Sequence, residues 1–405
     1  MLGDREFSSS LGMSTKTNEE IAKSATASGT LRLRSENPTS FDFSIPEGLQ
    51  NLFPNYRTPD NVSPYLYAKE QGVQYPNYTQ WEMEPYKERT DYIDRGSLSD
   101  PKKKSLFEAA TKVRHLTPYC GTELVGIKLT ELTDEQKNEL ARLASERGVV
   151  VVRNQDDLDI RKQIQFTSYF GKPHIHHQSG IIPDLPWVHP VYKDETSTGG
   201  LRSQVWHSDV PYEINSAGIS TLRFDVLPRS ENGELIGGDT LFANGYLIYE
   251  SLDPKFRAFL ETLSAESSGF GQAAIAAESG YKTRRPPIAT VHPLVRTNPT
   301  TGLKSLYVAE NFTTKIVGLE ERLSNTILQY LFDHIRRSLQ YQCRVQWTEN
   351  DIAIWDNRSH FHTGIFDYYP KTRHGTRVIA QAERPYFDPD SKLYSEVSFE
   401  GYSVL

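Results

Sequence analysis

The chain has 405 residues, a formal net charge of −7 and a hydrophobic fraction of 37%, with a pI near 5.9. This acidic balance opposes general attraction to nucleic acid, no apolar run approaches the ~20 residues of a membrane span, and the opening MLGDREFSSS lacks the apolar centre of a secretory signal. Cys120 and Cys343 are the two cysteines, far apart in sequence, so a disulfide framework is excluded and a cytoplasmic protein with reduced thiols is expected.

Residues 1–60 accumulate Ser, Thr, Asn and Pro without a sustained period and are expected to be loose. Residues 61–115, with a Tyr-, Pro- and Gln-rich stretch from Pro64 to Tyr92, are expected to form an extended arm packed on a single domain spanning 116–405. The run Lys102, Lys103, Lys104 reads as a solvated surface.

Order is expected from about Thr117. Leu124 to Leu129 reads as a strand. Thr133 and Gln136 then form a T-x-x-Q capping box that opens a helix carrying Leu140, Leu143 and Ala144 inward, stopping at Gly148. Val149 to Val152 is a buried strand, and a second helix runs from Ile160 to Phe170.

A third helix starts at the Asp253 cap with Pro254 first, placing Phe256, Phe259, Leu260 and Leu263 on one face, and a fourth carries Leu323, Ile327, Leu331 and Ile335. Short β-like runs lie at Gln204–Val210, Thr221–Leu227, Ser305–Ala309, Asp351–Trp355 and Thr376–Ala382. The pattern predicts a mainly β protein with flanking helices around a double-stranded β-helix, or jelly-roll, core. Neither G-x-G-x-x-G after a strand nor GxxxxGK[ST] occurs, so a nucleotide cofactor has no seat.

In Trp206-His207-Ser208-Asp209, strand alternation puts His207 and Asp209 on one face. One imidazole and one carboxylate need a distant histidine to complete a 2-His-1-carboxylate triad. His360 and His362 are both candidates, and alternation does not choose between them. His115, His174, His176, His177, His189, His292, His334 and His374 read individually as surface or packing residues. Arg373 and Arg377 share parity on a β-like run, so both could point into the barrel.

Together WHSDV (206–210), GGDT (237–240), WDNR (355–358) with a histidine seven residues after its tryptophan, the R-x3-R pair, GVVVVRNQ and FGKPHIH resemble the taurine/2-oxoglutarate dioxygenase family, and most closely its fungal sulfonate dioxygenase branch. The resemblance implies that His207, Asp209 and His362 hold Fe(II), the Trp355 spacing selecting His362. It implies that Thr240 and Arg373 hold the distal carboxylate of 2-oxoglutarate. Arg377 and His176, aided by the backbone N–H of Val210, would grip a sulfonate.

The reaction so implied uses O2 to hydroxylate a small anionic substrate beside its sulfonate, releasing sulfite and an aldehyde. The alternative is the same chemistry on a carboxylate or a secondary-metabolite precursor. Two departures from the family pattern argue against taurine itself: Arg202 and Ser203 occupy the places that receive its ammonium, and Ser179 replaces an aromatic contact. The expected partner is therefore a small anion, with no nucleic acid and no membrane, and with homo-oligomer formation left open. Asp194 to Leu201, containing Gly199-Gly200, is a candidate lid.

Overall fold

The computed structural model describes residues 41–46, 49, 56–76, 82–197, 205–278, 280 and 282–400. Most of the segment expected to be loose, Arg202, Ser203 and the Gly199-Gly200 part of the candidate lid lie outside the described residues. Among the described residues no helix is long and apolar enough to cross a membrane.

Strands β1 (Lys112–His115), β2 (Thr122–Val125), β3 (Val149–Val152), β4 (His189–Lys193) and β5 (Ala217–Val226) are followed by β6 (Thr240–Asn244), β7 (Ser264–Ser268), β8 (Ala289–Pro293), β9 (Val295–Thr297) and β10 (Lys304–Leu306). The rest are β11 (Thr313–Ile316), β12 (Gln342–Val345), β13 (Ile352–Asp356), β14 (His360–Gly364) and β15 (Arg373–Gln381). A seven-stranded sheet runs β1-β2-β3-β13-β5-β15-β4, and a three-stranded sheet runs β12-β6-β14. The large sheet is mixed: β2 and β3 pair in parallel, and the other pairs are antiparallel.

The two sheets share one apolar layer, in which Val149, Val151, Leu222 and Phe224 of the large sheet meet Phe242, Cys343 and Val345 of the small one. A second layer lies outside the large sheet, where the Asp134–Arg147 helix sets Leu140, Leu143 and Ala144 against Val150, Val152, Ile352 and Ile354. The β3 run Val149–Val152 is apolar throughout because both of its faces are covered.

Thr133 and Gln136 form the reciprocal capping box, and Gly148, with φ +82°, ends that helix. A Cβ on Gly148 would lie 2.0 Å from His360 Cδ2. Gly148→Ala is therefore expected to cost about 2–4 kcal/mol through backbone strain and overpacking, read as a lower denaturation midpoint.

Several expectations need correction. Regular structure starts before Thr117: Ser63 caps a Pro64–Glu70 helix with Pro64 in its first turn, Lys104–Ala109 is helical, and β1 is the edge strand of the large sheet. Pro64 thus opens a helix where an extended reading took it as a breaker. The Leu124–Leu129 strand ends at Val125, because Gly126 takes φ +84° and residues 129–131 form a 3-10 turn.

Lys103 is not part of a solvated run. It is fully buried and pairs with Glu146 at 2.8 Å. In the Pro254–Leu260 helix Phe259 is exposed, and Leu263 lies past its end; in the Glu321–Arg337 helix Leu323 is exposed while Ile327, Leu331 and Ile335 are buried. Cys120 and Cys343, distant in sequence, are free thiols whose sulfurs approach to 3.3 Å in the core.

Candidate active site

His362 lies on β14, opposite Phe242 of β6. Residues 205–210 form no regular strand: His207 makes only an isolated bridge to His362, the two exchanging backbone hydrogen bonds of 3.2 and 2.9 Å, and Val210 has φ 39°. The strand expected over Gln204–Val210 is thus replaced by a single bridge and a strained turn, which still delivers Asp209 to the same point as His207. A positive φ in a β-branched residue costs roughly 1–3 kcal/mol and is held only where the surroundings dictate it.

His207, Asp209 and His362 each offer a ligand atom within 4.8 Å of the others, the described residues' one cluster able to hold a metal ion. His207 Nδ1 donates to the Val205 carbonyl at 3.0 Å. A carbonyl can only accept, so the proton sits on Nδ1 and Nε2 keeps its lone pair for the cluster. His362 Nε2 is 3.6 Å from Asp209 Oδ1, its ring rests on Trp355 at 5.0 Å, and its Nδ1 has no hydrogen-bond partner.

Burial lowers both imidazoles below their ordinary range, His362 to about 3. Burial alone would raise Asp209, but Arg377, His362 and His207 outweigh it and lower it to about 2. Two neutral imidazoles and one carboxylate suit a divalent transition metal.

His360 is not in this cluster. It begins β14, takes a hydrogen bond of 2.9 Å with Ser359 Oγ, and packs edge-on against Tyr246 at 5.5 Å. Its ring lies against Gly148, where an added Cβ would meet Cδ2 at 2.0 Å.

A residue that sequence reasoning left without a role fixes Asp209. Asn357 Oδ1 accepts from the Asp209 N–H at 2.9 Å and from Trp355 Nε1 at 3.0 Å, while its Nδ2 donates to Ser220 Oγ at 2.8 Å. Ser220 Oγ in turn donates to Asp209 Oδ2 at 2.8 Å. The carboxylate and its own backbone are thus tied to one amide, and the WDNR tetrapeptide was the available signal.

The other half of that tetrapeptide is structural. Arg358, fully buried, clasps Asp356 with its Nε and NH2 at 2.8 Å and reaches Asp94 at 3.1 Å and Glu383 at 3.4 Å.

Thr240, Arg373, Arg377 and His176 are placed as follows. Thr240 Oγ1 accepts from Trp347 Nε1 at 3.1 Å and from Arg373 NH2 at 3.4 Å. The Arg373 guanidinium lies 3.8 Å over Phe224 and 5.6 Å from Tyr368, and its Nε is buried without a partner. Burial lowers it to about 10, so it stays cationic at neutral pH. Gly238, with φ +73°, leaves room for it: a Cβ there would sit 3.0 Å from Arg373 Cδ.

Arg377 NH1 donates to Asp209 Oδ1 at 2.5 Å. His176 joins a cleft with Arg377, His174, His189, Trp187 and Ile379. Its Nδ1 accepts from the backbone N–H groups of Gln178 and Ser179 at 3.3 and 3.2 Å, which leaves the ring proton on Nε2. Behind it, Arg284 and Arg285 donate to the His176 and Ile175 carbonyls at 2.7 and 2.6 Å, and Glu213 pairs with both Arg285 and His174. His174, His177, His292 and His374 are buried, so the surface alternative fails for them.

A second cleft, lined by Asp60, Ser63, Arg223, Asp225 and Glu349 among others, brings no metal-ligand cluster together among the described residues.

The profile of the taurine catabolism dioxygenase TauD/TfdA family matches residues 112–379. The chain is 37% identical over 312 residues to a Schizosaccharomyces pombe protein named "Putative alpha-ketoglutarate-dependent sulfonate dioxygenase", covering 75% of this chain and 78% of that one. It is 34% identical over 362 residues to the alpha-ketoglutarate-dependent sulfonate dioxygenase of Saccharomyces cerevisiae, covering 85% and 83%. Among solved structures, a taurine dioxygenase from Burkholderia xenovorans superposes with a TM-score of 0.56 at 28% identity, covering 70% of this chain and 94% of that one. The chain therefore belongs to the TauD/TfdA family and is an Fe(II)/2-oxoglutarate-dependent dioxygenase.

Proposed function

We propose that this enzyme hydroxylates a small sulfonate at the carbon beside the sulfonate group, giving sulfite and an aldehyde while 2-oxoglutarate becomes succinate and CO2. The observation that carries this reading is the placement of two arginines on one strand: Arg373 meets Thr240, and Arg377 meets the metal-ligand carboxylate Asp209. Two anions bound near one metal need at least two fixed cations. The names of the two yeast relatives supply the choice of a sulfonate.

His207, Asp209 and His362 would hold Fe(II), which with chelated 2-oxoglutarate supplies the activation of O2 when bound. Thr240 and Arg373 receive the distal carboxylate of 2-oxoglutarate, a planar fork being suited to a bidentate anion. Arg377 and His176 hold the substrate's acid group, the Val210 N–H being a further donor for it, and thereby fix which carbon faces the metal. A cosubstrate site walled by two sheets with one shared core also supports the jelly-roll reading of the fold.

Purified protein supplied with Fe(II), 2-oxoglutarate and O2 should form succinate and sulfite together across a panel of alkanesulfonates. Succinate driven by carboxylates without sulfite would instead assign the same chemistry to a carboxylate.

The two arginines should separate in kinetics. Arg373→Ala is expected to raise KM for 2-oxoglutarate by about 10- to 100-fold, and Arg377→Ala to raise KM for the sulfonate by a similar factor, each leaving the other constant nearly unchanged. Equal losses in both constants would refute this division.

A further inference from the structure

We propose that His189 is a specificity-determining residue that donates a ring N–H to the third oxygen of a terminal –SO3 group held by Arg377 and His176. The inference rests on the sulfonate reading above and deepens it. A carboxylate presents two oxygens, whereas a sulfonate or sulfate ester presents three, so a third donor discriminates between them.

Register brings His189 to this place. It opens β4, and its direct cross-strand partner on β15 is Arg377. Directly opposed residues in an antiparallel pair project from the same face, with Cβ atoms about 4.5–5.5 Å apart. His176 arrives from a third direction: the His174 N–H donates to the Ile379 carbonyl at 2.8 Å, two residues beyond Arg377 on the same strand. The His176 and His189 rings then lie 5.1 Å apart, and both residues line the cleft with Arg377.

The hydrogen-bond inventory of His189 and Arg377 is incomplete without a ligand, whereas His176 Nε2 is within 3.3 Å of the Tyr212 hydroxyl. His189 Nδ1 is shielded from solvent and has no partner, and the same holds for Arg377 Nε. Polar atoms kept from water are ordinarily paired, so two orphaned nitrogens of adjacent side chains in one cleft mark the place of an acceptor. His189 also keeps part of its surface open, in contrast to the closely covered His174, His176 and His177 beside it. His174, in the same cleft, differs in that its Nε2 is satisfied by Glu213 at 3.0 Å.

The test uses His189→Phe, which keeps ring volume and stacking but removes the N–H, and His189→Gln, which restores an N–H donor. Calorimetric titration of butanesulfonate and pentanoate into the full-length protein, with steady-state kinetics alongside, reads the effect. His189→Phe is expected to weaken butanesulfonate binding and raise its KM by about 10- to 100-fold. Pentanoate binding, kcat and the KM for 2-oxoglutarate should change little, and His189→Gln should recover most of the loss.

Unchanged butanesulfonate binding in His189→Phe overturns the proposal. Equal losses for butanesulfonate and pentanoate, or no recovery in the glutamine variant, reduce His189 to packing and overturn it while leaving the sulfonate reading intact. A wild-type protein that binds pentanoate and not butanesulfonate overturns the sulfonate reading, and this assignment with it.

Discussion

Asp209→Ala is expected to abolish substrate-driven succinate formation. Partners one bond removed from a metal ligand are themselves worth about 10–100-fold in affinity or activity, so loss of the ligand should exceed about 100-fold. The substitution removes the only carboxylate of the His207, Asp209, His362 cluster. It also strips Arg377 of its 2.5 Å partner and Ser220 of its acceptor.

Two measurements give this outcome its meaning. Titration with Mn(II) should show weakened metal binding, and a circular dichroism spectrum like that of the wild type should show that the sheets persist. Asn357→Ala, which leaves His207, Asp209 and His362 in place but cuts the Asp209 N–H and Ser220 from their shared amide, should lose about 10–100-fold in activity. Turnover retained by Asp209→Ala would remove the basis for a metal centre at this place.

Arg358→Met is expected to have the largest effect on stability. Arg358 is 1% exposed and Asp356 is 0% exposed. Removing the cation leaves Asp356 ionised in the core, still accepting from Ser145 at 2.6 Å and Asn298 at 3.0 Å. Breaking one side of such a buried pair costs about 3–5 kcal/mol. A fall in denaturation midpoint, with the metal cluster untouched in the remaining folded protein, is the expected reading.

The pH dependence follows from Asp356, whose carboxyl is held well below its ordinary range: burial opposes this, and Arg358 outweighs it. A depressed carboxylate contributes stability above the unfolded value of about 3.9 and loses it as pH falls through the folded one. The gap between wild type and variant should therefore be full at neutral pH and narrow only in strong acid. A midpoint unchanged by the substitution would show that the pair contributes no net stability.

The sequence was most legible where one periodic rule governs a local segment. The capping box at Thr133 and Gln136, the apolar β3 and the shared parity of Arg373 and Arg377 all depend on neighbours within a few residues. Reading failed where a contact joins distant segments. Asn357 meets Asp209 across 148 positions, and no spacing rule encodes that meeting.

Lys103 illustrates the same limit. A lysine within a triplet of lysines predicts solvent, yet the left-handed turn at φ 53° directs it to Glu146 on the Asp134–Arg147 helix. His189 carried no local signal either, since its significance arises from the register of β4 against β15. Alternation left His360 and His362 equal, and tertiary packing separates them: the first stands at the very start of β14, where its ring packs beside Tyr246 and the Gly148 backbone.

The common strand of Arg373 and Arg377 works as a ruler. Four residues at about 3.3 Å each set their origins about 13 Å apart, and the β4 pairing runs without a register break from Arg373 to Arg377. Inserting or deleting one residue between them would turn one guanidinium to the opposite face. The separation of the two guanidinium groups, proposed above as the two anion grips, is thus written into the covalent backbone and cannot be adjusted gradually. On the proposed assignment, a change in preferred substrate length would instead come from residues 176–189, several of which line the cleft with Arg377.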